Sequence, residues 1–174
     1  MLSEIYIGID PDVDLNGVAV VNKKSGACEV YALGFCALMD WLGQWVGVQG
    51  VEVVVEAGWL NDSVWHLQRK GLQWAASVGR GVGRNHQTGI LIADMAEHMG
   101  LSVTRQRPLR KCWKGHDGKI THEEIKYFTG IKTRTNQETR DALLLAWVAA
   151  GLPVKVKPLN FAKCLRRTQR IVRK

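Results

Sequence analysis

What the sequence lacks narrows it first. Its four cysteines, Cys28, Cys36, Cys112 and Cys164, include no CxxC pair and no metal-ligand spacing. Neither a disulfide framework nor a zinc site is expected, and the thiols read as free. The opening, MLSEIYIGID, is too short and too acidic for a signal peptide. The longest apolar stretch, Ala142 to Leu152, is too short to cross a bilayer. A soluble, cytoplasmic protein with no membrane partner is therefore expected. There is no internal repeat and no low-complexity linker. Acidic residues are missing altogether from Lys155 to Lys174.

What is present is a chain of 174 residues, 46% of them hydrophobic, enough for one domain with a real core. The net charge is +8, and the terminal segment from Lys155 carries eight Lys or Arg. The remainder balances at 16 basic against 16 acidic residues. The division expected is a folded domain over residues 1–153 and a basic tail over 154–174. Such a tail suits a polyanion, most often nucleic acid, because each contact with a phosphate releases condensed counterions.

Apolar patterning gives a strand over Ile5–Ile9, a second over Gly17–Asn22, and a KKSG turn into a third over Ala27–Leu33. Phe35–Val46 has helical spacing. Val51–Val55 is a β-branched strand closing on Glu56, expected to run parallel to the first. A helix is expected over about Ser63–Ser77, another over Asn85–Gly100, and a fifth strand over Leu101–Gln106, stopped by Pro108. Two capping boxes follow, Thr121 with Glu124 and Thr135 with Glu138, each opening a helix. This order predicts an α/β fold: a mixed five-stranded sheet flanked by helices on both faces.

Four acids fall where such a sheet presents functional groups. Asp10 ends the first strand and Glu56 the fourth. Glu138 and Asp141, three apart, share a face in the first turns of the last helix. Each has an ordinary explanation: a turn before Pro11, an exposed strand end, a helix cap, a charge at the positive end of a helix dipole. If the last helix lies across the sheet, all four can converge. Convergent carboxylates raise one another's pKa, and a divalent cation removes that penalty. Oxygen ligands without a His or Cys cluster point to Mg²⁺, with Mn²⁺ as a substitute. Two such ions roughly 3.5–4 Å apart can drive phosphodiester hydrolysis. Asp12 and Asp14 lie past Pro11 and are expected at the rim, not as ligands.

At these residues the chain resembles the RuvC family of Holliday-junction resolvases, within the ribonuclease H-like superfamily. The segment IGIDPDVDLNGVAVV is similar to that family's opening pattern, VEVVVE to its second acidic strand, and ETRDALLLAW to its last motif. KGHDGKITHEEI resembles the loop in which the family places a basic residue near the scissile phosphate. Lys119 occupies that place, with Lys114 as the alternative. Trp59 stands where the family carries an aromatic that opens or stacks on junction bases. The sequence departs from the pattern at Asp12, usually glycine, at Asn16, usually threonine, and at Glu138, where Asp or His is commoner.

The resemblance implies a ribonuclease H-like fold and a metal-dependent endonuclease for branched DNA, the four-way junction above all, working as a homodimer. It implies two ions held by Asp10, Glu56, Glu138 and Asp141, with Lys119 against the phosphate. Arg69, Lys70, Arg80 and Arg84, interleaved with Trp59, Trp65 and Trp74, are the candidate nucleic-acid contacts. Three alternatives stand beside this: a nuclease of the same fold acting on RNA or flap DNA, a non-catalytic binder of DNA structure, and a sugar-kinase or actin-like phosphate-binding domain. The third is disfavoured, since those proteins usually carry two copies of the domain.

Overall fold

A computed structural model describes residues 3–61 and 72–156, the side chains of 72–76 apart. Five strands form one sheet: β1 (Ile5–Asp10), β2 (Asn16–Asn22), β3 (Cys28–Leu33), β4 (Val51–Glu56) and β5 (Ser102–Gln106). Their order is β3-β2-β1-β4-β5. The first three are antiparallel neighbours, while β4 runs parallel to β1 and β5 parallel to β4. This is the mixed five-stranded α/β sheet that the sequence predicts.

Among the described residues, four helices cover it: α1 (Phe35–Gly43), α2 (Leu72–His98), α3 (His122–Thr129) and α4 (Gln137–Ala149). Period-2 alternation in the strands divides the core in two. Ile7, Ile9, Val18, Val53 and Val55 point to one face, against Leu38 and Leu42 of α1 and Ile92, Ala93 and Ala96 of α2. Ala19 and Val21 point to the other, against Ile125 of α3 and Ala142, Leu143 and Ala146 of α4. Both faces of the central strands are thus covered, while Ser102 and Thr104 on the edge strand β5 stay exposed. No helix among the described residues is long and apolar enough to cross a membrane.

Two local expectations change. The break expected between the helices around Ser77 and Asn85 is absent: α2 runs unbroken through Gly79, Gly81 and Gly83. Glycine costs a helix about 1 kcal/mol relative to alanine, and here the packed half from Gly89 onward outweighs that cost. The part of the expected Ser63–Ser77 helix that precedes Leu72 lies outside the described residues, as do Arg69, Lys70, Trp65 and the tail from 157. The capping box of α4 also shifts by one residue. Asn136, not Thr135, is the N-cap, and it exchanges hydrogen bonds with Thr139, not Glu138. Asn is as good a cap as Thr, and Thr135 is instead buried with its hydroxyl 2.9 Å from His122 Nδ1.

The seat of α4 on the sheet depends on two glycines. An ideal Cβ on Gly8 would stand 2.2 Å from the Ala142 carbonyl oxygen, and one on Gly17 would stand 2.1 Å from that of Glu138. Bare backbone at these points lets the helix rest directly on β1 and β2. The residue before Ala142 is Asp141, so this close seat carries an acid to the end of β1.

Candidate active site

Asp10 and Glu56 end adjacent parallel strands in matching register, since Ile9 faces Val55 one residue earlier. Neighbouring strands lie about 4.8 Å apart, so the two carboxyls meet. Asp141 approaches from α4. All three line one cleft of about 550 Å³. Val78, Val82 and His86 of α2 form one wall, and Lys111 and Lys119 stand on the loop between β5 and α3.

The electrostatics express this crowding. Asp10 is pushed up to about 9, first by burial, then by the charges of Glu56 and Asp141, and by its hydrogen bond to Glu56; Lys119 pulls the other way. Glu56 is also raised, chiefly by burial, with Asp141 adding to it, while the hydrogen bond from Asp10 and the charges of Lys111 and Lys119 lower it. Asp141 is raised by burial and eased by the Gln137 side chain and by Lys119, Lys111 and Arg140. Asp10 and Glu56 are hydrogen-bonded to each other and titrate as a pair. Burying several carboxyls together leaves a site that favours either a proton or a cation.

Among the described residues, no group of three His, Cys, Asp or Glu side chains stands ready to hold a metal ion. Asp10 and Glu56 close on each other, and Asp141 Oδ1 accepts a 2.8 Å hydrogen bond from Gln137 Nε2. The donor chemistry nonetheless fits a hard divalent cation: three carboxyls raised by burial, Asp10 further by Glu56 and Asp141 and Glu56 by Asp141, with no thiolate in the cleft.

The basic loop is held by a buried acid. Glu124, 5% exposed, accepts from the Lys114 and Thr121 backbone amides and from the Thr121 hydroxyl. Between these anchors the chain turns tightly through Asp117 and Gly118, both at positive φ. Lys119, not Lys114, reaches the cleft. Lys114 is exposed, with its amide committed to Glu124.

The other candidates separate. Glu138 is not among the residues lining the cleft. It is the second residue of a helix that starts at Gln137, and Gln137 is the one that reaches Asp141. Arg80 and Arg84 are exposed on α2. At 100° per residue they lie across the helix from Val78, Val82 and His86, which line the cleft. Trp59 is half-buried, edge-on to His86 at 6.5 Å. It packs so tightly on Gly89 that a Cβ there would come within 2.5 Å of its ring. The rim placement of Asp12 takes a definite form. Its Oδ2 accepts from Asn85 Nδ2 at 3.0 Å, and its amide donates to the buried Asn16 Oδ1 at 3.1 Å. The two departures from the opening pattern thus act together and tie the loop after Asp10 to α2.

Lys111, His86 and Gln137 are additions to the sequence reading. Only Gln137 carried a signal, four residues before Asp141 on the same helix face.

No family model and no curated protein matches the sequence. Among solved structures, the chain is similar to a Thermus thermophilus RuvC in complex with a Holliday junction substrate, at 19% identity and a TM-score of 0.49 over 82% of this chain and 90% of that one. It is similar to a second Thermus thermophilus RuvC structure at 20% identity and 0.45, over 89% and 99%. Likeness to the large terminase nuclease of thermophilic phage G20c is 15% and 0.31, over 83% and 81%.

Proposed function

We propose that the protein is a divalent-metal-dependent endonuclease that cuts branched DNA, the four-way junction in particular. The observation that carries this reading is the meeting of Asp10, Glu56 and Asp141, each raised by burial and the first two by neighbouring acids, in one cleft with Lys111 and Lys119. Asp10, Glu56 and Asp141 would hold Mg²⁺ or Mn²⁺, one ion or two. The chemistry such ions supply is activation of water and neutralisation of charge at the phosphate.

The protein's own residues do the rest. Asp10, which donates a hydrogen bond to Glu56, would have to be deprotonated to hold a cation. Lys119 and Lys111 bring fixed positive charge to the same cleft, where an added negative charge on phosphorus would be stabilised. Val78 and Val82 make the facing wall apolar and keep that charge poorly screened. Glu138 is left outside the ligand set. The basic tail and the exposed Arg80 and Arg84 suit DNA beyond the cleft. A symmetric junction needs two matched cuts, which a homodimer supplies.

The choice of junction over flap or RNA rests on the resemblance of the three motifs. Cleavage of four-way junctions, flaps, duplex DNA and structured RNA, compared at equal enzyme, tests it. Paired symmetric nicks in the junction at the highest rate are expected. Equal or greater cleavage of RNA or flaps would move the assignment to another nuclease of the same fold.

A further inference from the structure

Among the described residues, Arg140 makes no hydrogen bond to a carboxylate. Its guanidinium donates to three neutral oxygens: Nε to the Ile120 carbonyl at 3.0 Å, Nη1 to the Thr135 carbonyl at 2.9 Å and Nη2 to Gln137 Oε1 at 2.9 Å. Gln137 Nε2 in turn donates to Asp141 Oδ1 at 2.8 Å. An arginine can only donate. It therefore fixes which end of the Gln137 amide faces it, and the amide must present its NH₂ to Asp141. The orientation of this amide follows from its partner.

The same guanidinium holds the carbonyl of Ile120, the residue after Lys119. Ile120 is 1% exposed and belongs to the core beneath α4. One side chain thus touches the loop that carries Lys119 and, through one amide, the acid that Lys119 faces. Its charge also acts on Asp141 without contact.

We infer that Arg140 and Gln137 are positioning residues: together they brace Asp141 against the Lys119 loop and hold one carboxylate oxygen by a hydrogen bond, leaving the other to the cleft. This deepens the nuclease reading and rests on it. Partners of this kind orient a metal-binding carboxylate, and their loss typically costs about 10–100-fold in metal affinity or activity.

The test is Gln137→Ala and Arg140→Lys. Lysine keeps the charge but is a single point donor that cannot serve three acceptors in a fork. Three readouts are taken on the full chain: binding of Mn²⁺ alone, followed by the electron paramagnetic resonance signal of the free ion; kcat and KM on a four-way junction; and the melting temperature without metal. Both variants are expected to bind Mn²⁺ about tenfold more weakly. They should lose turnover at unchanged KM, with Gln137→Ala melting close to the parent. Mn²⁺ affinity and kcat within twofold of the parent in both variants overturn the brace, as does a loss that merely follows the melting temperature. Asp10→Asn, run alongside, separates the two claims. If Asp10→Asn cuts normally, the nuclease reading itself falls. If it is inactive while Gln137→Ala is normal, only the brace falls.

Discussion

Gly8→Ala adds one methyl group at the point where α4 rests on β1. The new Cβ would stand 2.2 Å from the Ala142 carbonyl oxygen and 2.9 Å from Ala146 Cβ. A carbon–oxygen contact ordinarily needs about 3.3 Å or more, so strand and helix must part by roughly 1 Å. Backbone lies on both sides, and no side chain can rotate away. Overpacking of this kind costs about 1–3 kcal/mol, or roughly 2–12 °C in melting temperature for a chain of this size. The larger effect is on the site. Asp141 immediately precedes the displaced carbonyl, while Asp10 stays on the strand, so the two acids move apart. A misplacement of about 1 Å can cost on the order of 100-fold in rate. Thermal melting and junction cleavage, measured on the same preparations, read both effects. Gly43→Ala is the control: it lies at the end of α1, and its nearest neighbour would be Met99 Cε at an ordinary 3.7 Å. Gly8→Ala melting with the parent and cutting at the parent's rate would refute the seat of α4 as described.

Three further outcomes are expected. Asp10 has its folded pKa raised from 3.8 to about 9, so its contribution to stability is fully present below about pH 4 and is lost as pH rises toward 9. In chelator, Asp10→Asn should therefore melt above the parent by a margin that widens over that range, and Mg²⁺ should raise the parent's melting temperature while leaving the variant's unchanged. Parallel melting curves would contradict this. Glu138→Ala should lose only the helix-dipole term, about 0.3–1 kcal/mol, and keep its cleavage rate, whereas Asp141→Asn should lose cleavage; the reverse result would restore Glu138 to the ligand set. Glu124→Ala removes the anchor of the Lys119 loop. It should cost about 1.5–3 kcal/mol, a fall of roughly 3–12 °C in a thermal melt, together with lost turnover.

The strands were legible because their alternation and β-branched runs are strong local signals, and parallel pairing of β1 with β4 followed from their buried, uninterrupted character. Asp10 and Glu56 were legible for the same reason: a strand end is read directly from where the apolar run stops. Helix ends were less so. TNQE offers two caps one residue apart, and tertiary bonds of Thr135 decided between them. That single shift moves Glu138 from a helix cap to a half-buried second position and gives Gln137 the contact with Asp141. The glycines of α2 read as a break because propensity weighs them locally, whereas packing of the helix's second half holds it together. Lys111 and His86 reach the cleft across long sequence separations, as Arg140 reaches the Ile120 carbonyl, and no local pattern marks such partners.

The central claim is that Asp10, Glu56 and Asp141 form a metal-dependent phosphodiesterase site. It is tested most directly by Asp10→Asn on a labelled four-way junction in Mg²⁺, with binding and cleavage measured side by side. The account predicts junction binding equal to the parent's, paired nicks by the parent, and none by the variant. Undiminished cleavage by Asp10→Asn would contradict it.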